Sequence, residues 1–255
     1  MTGSVMLKVG CCGWAVKGGM AAYFNEFPLI ELQNTFYRLP SLSTATRWRE
    51  LAPADFEFSL KSWQAITHPV TSPTWRRAGV RVEPEKAERY GYLRPTSENF
   101  EAWEKTLEVA SALRARVVVV QLPPSMDASS ENLNNMKEFF STIDRRGVVI
   151  AVEFRHDSWR PEVVRKACRE LDLIHVVDPF KCETATRDAE VIYYRLHGLG
   201  KRMYVYDYSD EELTKLWRSW VKPLVSEGKQ VYVLFNNIAM AKNAKRMIEL
   251  CARGE

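Results

Sequence analysis

The chain has 255 residues, 46% of them hydrophobic and 27% charged, with a formal net charge of +4. This balance fits a folded chain with a large core, and the charge is too mild to establish a nucleic-acid partner. No stretch approaches the roughly 20 apolar residues of a membrane span, so a membrane partner is not expected. Met1–Lys8 is short and polar for a secretory leader, and the expected compartment is the cytoplasm. The five cysteines, Cys11, Cys12, Cys168, Cys182 and Cys251, form no C-x-x-C pair. Neither a disulfide framework nor a cysteine-rich zinc site is implied.

Eight β-rich runs follow one another along the chain, over residues 7–11, 29–33, 56–61, 117–122, 148–154, 173–177, 191–197 and 231–235. They are nearly continuous in apolar or β-branched residues, as expected of parallel strands buried on both faces. Gly18-Gly19 lies in the short link between the first two runs, where a truncated helix is expected. Helical spacing follows in Phe100, Trp103, Leu107 and Ala110, and again in Leu133, Met136, Phe140 and Ile143. Pro161 suits the first turn of a helix carrying Val164, Ala167 and Leu171. Ser209 and Glu212 read as a capping box before Leu213, Leu216, Trp217 and Trp220. Ala241, Ala244, Ile248 and Cys251 close the pattern. Alternating strands and helices predict a single-domain TIM-type (β/α)8 barrel over residues 1–255, open to irregularity, with a doubly wound open sheet as the alternative. The connection 62–95 after the third strand, interrupted by Pro69, Pro73, Pro84 and Pro95, is expected to be a long loop over the top of the barrel.

Alternation within each strand sorts side chains between the helix layer and the barrel axis. If Ile150, Val152 and Phe154 face helices, Glu153 and Arg155 face inward. The same parity sends Glu31 and Gln33, Ser59 and Lys61, Gln121, and Arg195 and His197 inward. These polar residues collect towards the carboxyl ends of the strands, where barrel enzymes carry their sites. Buried charges need partners, and Glu31 and Glu153 can balance two of Lys61, Arg155 and Arg195. The same residues could be no more than ion pairs that fill a barrel.

Several blocks resemble the domain-of-unknown-function 72 family, also called YecE-like. They are Gly10-Cys11-Cys12-Gly13-Trp14, Glu31 through Arg38, Lys61 through His68, and Gln121-Leu122-Pro123-Pro124-Ser125. Val152-Glu153-Phe154-Arg155-His156, Trp159, Tyr194 through Gly198 and Tyr232 through Asn237 complete the set. The resemblance implies a TIM-type barrel and brings no activity with it. Gln33 stands where the family usually has Asn, and Cys11-Cys12 where small residues such as Thr-Ser are usual. If those hydroxyls bind a ligand, thiols would bind it more weakly.

Three functions are compatible with these residues. In the first, an enzyme of hydrolase, lyase or isomerase type acts on a small carboxylate or phosphate. Arg155, Arg195 and Lys61 supply cationic donors, and Glu153, His197, Glu31 and Lys61 supply acid/base groups. Gln33, Gln121, His156, Asn236, Asn237, Trp14 and Tyr37 would contact the substrate. No cofactor is expected in this reading. In the second, a divalent metal on Glu153, Asp178 and His197 serves a phosphodiester hydrolase or isomerase, although the nearby arginines and lysine would repel a cation. In the third, Arg76, Arg77, Arg81, Lys86, Arg89 and Arg94, interleaved with Trp63, Trp75, Tyr90 and Tyr92, bind a nucleic acid without catalysis. Against that stands a solvated loop whose aromatics pack on the rim. His68, in the same loop, reaches a site only if the loop folds over it. His175 reads as a core histidine. Cys12 has no evident partner base.

Overall fold

The computed structural model describes residues 6–253. Most of Met1–Lys8, read above as no leader, lies outside the described residues. The elements run in chain order as follows. Strand β1 (Leu7–Cys11), helix α1 (Gly19–Glu26), β2 (Leu29–Leu32), α2 (Leu42–Leu51), β3 (Glu57–Lys61), α3 (Pro73–Ala78) and α4 (Ser97–Leu113) come first. They lead to β4 (Val117–Gln121), α5 (Ser130–Thr142), β5 (Val149–Glu153), α6 (Pro161–Glu170) and β6 (Ile174–His175). The chain ends with β7 (Val191–Leu196), α7 (Asp210–Leu216), α8 (Lys222–Ser226), β8 (Gln230–Phe235) and α9 (Met240–Arg253). The strands form one sheet in the order β6-β5-β4-β3-β2-β1-β8-β7. Just beyond β6, Val177 bridges in parallel to Tyr194 of β7. The fold is a TIM-type (β/α)8 barrel.

The described residues fall into two compact units, Met1–Glu31 with Ala52–Glu57 and Val176–Glu255, and Leu32–Leu51 with Phe58–His175. The first unit contains both ends of the described chain. In it β1 pairs with β8 over five residues, from Leu7 opposite Val231 to Cys11 opposite Phe235, and β8 pairs with β7. In the second unit β3 pairs with β4, β4 with β5, and β5 with β6, with Gln121 opposite Glu153.

Local chemistry explains the boundaries. Gly18 takes a φ of +104° ahead of α1, a conformation open to glycine, and leaves that helix eight residues long. Thr96, Ser129 and Ser209 cap the helices that follow them, and Ser209 with Glu212 forms the expected capping box. Pro161 occupies the first turn of α6. The helix after Ser209 does not continue regularly through Trp220. Pro223 has no N–H to offer the carbonyl four residues back, and the amide of Lys222 bonds instead to Trp217 O. Trp217–Val221 is therefore a π-helical turn. Trp217 stays buried, whereas Trp220 is only half-buried, so the expected run of core tryptophans stops one turn early.

The connection 62–95 is not the open loop that its prolines suggest. It contains a 3-10 turn at Gln64–Ile66, α3, and a second 3-10 turn at Pro84–Arg89. The amides of Gly91, Tyr92 and Leu93 bond back to the carbonyls of Ala65, Thr67 and Ile66. Asn99 at the start of α4 clasps the return, accepting from Gly91 N and donating to Gly91 O and Arg94 O. Trp75 is buried inside the segment, with Nε1 donating to His68 O at 3.0 Å.

Candidate functional site

In the unit that contains both chain ends, β2 and β7 are separated in the sheet by β1 and β8. Neighbouring strands lie about 4.8 Å apart, so three intervals span roughly 14 Å. Even so, Arg195 Nη2 reaches Glu31 Oε1 at 3.0 Å, and Tyr193 donates its hydroxyl to Glu31 Oε2 at 2.9 Å. Side chains on strands that far apart meet only through the barrel interior, so parity placed Glu31 and Arg195 correctly. Cys12 donates its thiol to the same Glu31 Oε1 at 3.5 Å. Burial, then the Glu31 charge, hold that thiol well above its usual range, which leaves it a poor nucleophile at neutral pH. Glu31 is 0% and Arg195 1% exposed, so neither side chain presents surface to a ligand in this conformation. Below them Lys8 pairs with Glu57 at 2.7 Å, and the Tyr232 hydroxyl also donates to Glu57. Tyr232 stacks on Tyr193.

Further along the same unit, Asp178 follows β6 and His197 follows β7. Asp178 Oδ2 accepts from His197 N at 3.1 Å and lies 3.9 Å from His197 Nδ1, while Oδ1 accepts from Phe180 N. The Tyr204 ring packs edge-on to His197. Asn236 is half-buried, and its amide continues the strand ladder to Leu196 O. Asn237 donates to Tyr206 O and to Asn243 Oδ1, which ties down the segment ahead of α7. Trp14 packs edge-on to Tyr23 and Phe24.

The second unit gathers a different set. Lys61 Nζ donates to Gln121 Oε1 at 3.0 Å, and Arg155 Nη2 donates to the same oxygen at 3.2 Å. Arg155 Nη2 also meets Glu153 Oε1 at 2.8 Å. Strand register accounts for the convergence. Lys61 sits opposite Val119, Gln121 lies two residues on and opposite Glu153, and all four share one face. Lys61 Nζ further lies 3.9 Å from the ring centre of Phe36, a cation–π contact. His68 packs edge-on to that ring at 4.8 Å, with Nδ1 2.8 Å from Thr67 Oγ1. Burial first, then the charges of Lys61 and Arg155, push the His68 pKa down to about 3. His68 is therefore neutral at pH 7.

Parity brings Glu153, Arg155, Lys61 and Gln121 together. It misses Phe36 and His68, because both follow strands and alternation says nothing about loops. The signal available for them was their place in short blocks directly after strand ends. Gln33 is half-buried at the turn that carries Phe36, and its carbonyl accepts from Phe36 N. Tyr37 lies under the Arg77 guanidinium at 4.8 Å. His156 is half-buried, with Nδ1 accepting from Ser158 N at 3.1 Å, which turns it towards its own loop. His175 packs against Phe154, and burial lowers its pKa to about 4. The basic residues of 62–95 are partly engaged nearby. Arg89 pairs with Glu98, Lys86 with Glu83, and Arg94 lies over Tyr92.

Of the three residues weighed as metal ligands, Asp178 and His197 are adjacent, and Glu153 is bonded to Arg155. Among the described residues no three His, Cys, Asp or Glu side chains are grouped as a metal set. No helix among the described residues is long and apolar enough to cross a membrane.

A family model described as "Protein of unknown function DUF72" matches residues 8–255. The chain belongs to the DUF72 family. Among its relatives is the UPF0759 protein YunF of Bacillus subtilis strain 168, 23% identical, with 96% of this chain and 94% of that protein covered. The crystal structure of a DUF72 family protein from Enterococcus faecalis V583 superposes with a TM-score of 0.72 at 21% identity, covering 97% of this chain and 98% of that one. A D-psicose 3-epimerase structure matches with a TM-score of 0.57 at 11% identity, over 96% of this chain and 98% of that one, a likeness of fold alone.

Proposed function

We propose that this DUF72 barrel binds a small anionic substrate, a carboxylate or a phosphate, at Lys61 and Arg155 and transfers a proton on it through Glu153. One observation supports this reading above the others. Lys61 Nζ and Arg155 Nη2 both donate to Gln121 Oε1, so the two cationic groups lie no further apart than two hydrogen bonds. Two cations that share one neutral carbonyl oxygen form a ready cradle for an oxyanion. A carboxylate or phosphate oxygen at that point gains charge-assisted bonds that the amide cannot supply. Glu153 is held 2.8 Å from Arg155, within reach of a substrate proton, and serves as acid or base. Neutral His68 serves as a hydrogen-bonding wall and not as an acid at neutral pH. Glu31, with no exposed surface, is the counter-ion of Arg195.

Calorimetric titration with inorganic phosphate and with acetate tests the cradle. At least one should bind with a Kd on the order of 1 mM or tighter. Arg155→Gln and Lys61→Met should each weaken it about tenfold, a loss of about 1.4 kcal/mol. No heat with either anion, or binding unchanged in both variants, would reject the reading.

A further inference from the structure

A cavity opens in the unit that contains both chain ends. It encloses about 210 Å³ outside the sheet, between the chain leaving β6 and the π-helical turn. That is below the roughly 300–1,000 Å³ of sites for drug-sized ligands, and is room for a single ring. Its walls include Trp220, Pro223, Leu224 and Pro179. The π-helical turn that Pro223 enforces is what brings Ser219 and Trp220 to the cavity, and such turns are frequent at functional sites.

Tyr194 forms the floor. Its neighbours Tyr193 and Arg195 point to the barrel interior, so alternation along β7 sends Tyr194 to the helix layer, where apolar residues belong. The residue is 3% exposed and lines the cavity, yet among the described residues its hydroxyl makes no hydrogen bond. A largely buried phenol whose hydroxyl opens onto a cavity offers that hydroxyl to whatever occupies it. Thr184 adds a hydroxyl to the wall. The charges at the mouth do not favour an anion. Arg187 lines it but meets Glu227 at 2.6 Å, and Glu183 lines it as well.

We infer that this cavity is a binding site for a small uncharged aromatic molecule carrying a hydrogen-bonding group. The ring lies against Trp220 and Pro223, and the polar group meets the Tyr194 hydroxyl. The site shares no residue with the anion cradle, and the inference does not rest on it.

Benzamide is the probe, because two near-isosteres remove one feature each. Benzoate adds a negative charge, and cyclohexanecarboxamide removes the aromatic face. Ligand-observed NMR on the full chain should show benzamide binding with a Kd on the order of 1 mM, as befits so few atoms. Benzoate and cyclohexanecarboxamide should each bind at least fivefold more weakly. Tyr194→Phe, which deletes only the hydroxyl, should weaken benzamide at least fivefold while leaving the thermal transition in place. Cys182 provides an independent readout, because its exposed thiol lines the same cavity. Saturating benzamide should slow its alkylation by iodoacetamide severalfold, with no such protection in Tyr194→Phe. Failure of benzamide to bind at 10-fold above that concentration (about 10 mM) overturns the site. So does equal binding of the cyclohexane analogue, or an unchanged affinity in Tyr194→Phe. Preference for benzoate would overturn the uncharged class.

Discussion

Arg195 carries its charge where solvent does not reach, and Glu31 is what makes that tolerable. Removing one partner of a buried ion pair strands the other charge, at a cost of about 3–5 kcal/mol. Arg195→Met or Glu31→Gln should therefore lower stability by about that much in urea melts, and the double variant should recover part of the loss. A cost below about 1 kcal/mol for both single variants would mean that the pair is not held as described. His68 sets a different dependence. Its pKa falls from the ordinary 6.5 to about 3 on folding, mainly through burial. The unfolded chain therefore takes up a proton that the folded one refuses, so stability is complete above pH 6.5 and drains as pH falls towards 3. The slope approaches 1.4 kcal/mol per pH unit, which makes about 2 kcal/mol between pH 7 and pH 5. His175, lowered to about 4, adds a similar slope over a narrower window. Urea midpoints of His68→Gln should change less between pH 7 and pH 5 than those of the parent chain. At this scale the sequence was informative about direction and silent about pairing. Period two told Glu153 and Arg155 from Phe154, but three cations and two carboxylates allow several pairings. Barrel closure brings Arg195 to Glu31 across the interior, and Arg155 takes Glu153 two residues before it.

Helices and strands were legible where one face is apolar, and lost where it is not. α2 escapes pattern reading because Ala45 is its only buried residue, so no stripe repeats at helical spacing. The segment 62–95 escapes for a different reason. Its prolines do break it, but the pieces are re-tied by backbone bonds between residues 65–67 and 91–93, a long-range pairing with no local signature. Gly91 is the tightest point of that pairing. Its φ is +82°, and a Cβ there would stand 2.6 Å from Pro69 N. Gly91→Ala should cost about 1–3 kcal/mol. It should also raise amide exchange at Gly91, Tyr92 and Leu93 ahead of the strands. Exchange that stays as slow as in the parent would show that the return strand does not depend on this glycine. The π-helical turn had a visible cause in Pro223, but helical spacing alone reads straight through it.

At the level of the whole molecule, eight apolar runs became eight strands, each within two residues of the expected bounds. β6 is the exception in length, two residues where five were read, because beyond His175 the chain keeps only the single bridge from Val177 to Tyr194. Truncation before Gln230 would remove β8 and α9 and leave β1 without one of its two partners. Such a chain should lose its cooperative thermal transition in calorimetry, and a sharp transition near that of the parent would contradict this.

The pairing of β1 with β8 also has a consequence for synthesis. Leu7 finds Val231 only after nearly the whole chain has been made, and Tyr193 finds Glu31 across 162 residues. A ribosome adding about 5–20 residues per second releases Phe58–His175 about 3–12 s before β8 is complete. During that interval β1 waits, apolar and unpaired along one edge, as the segment a nascent-chain chaperone would find first.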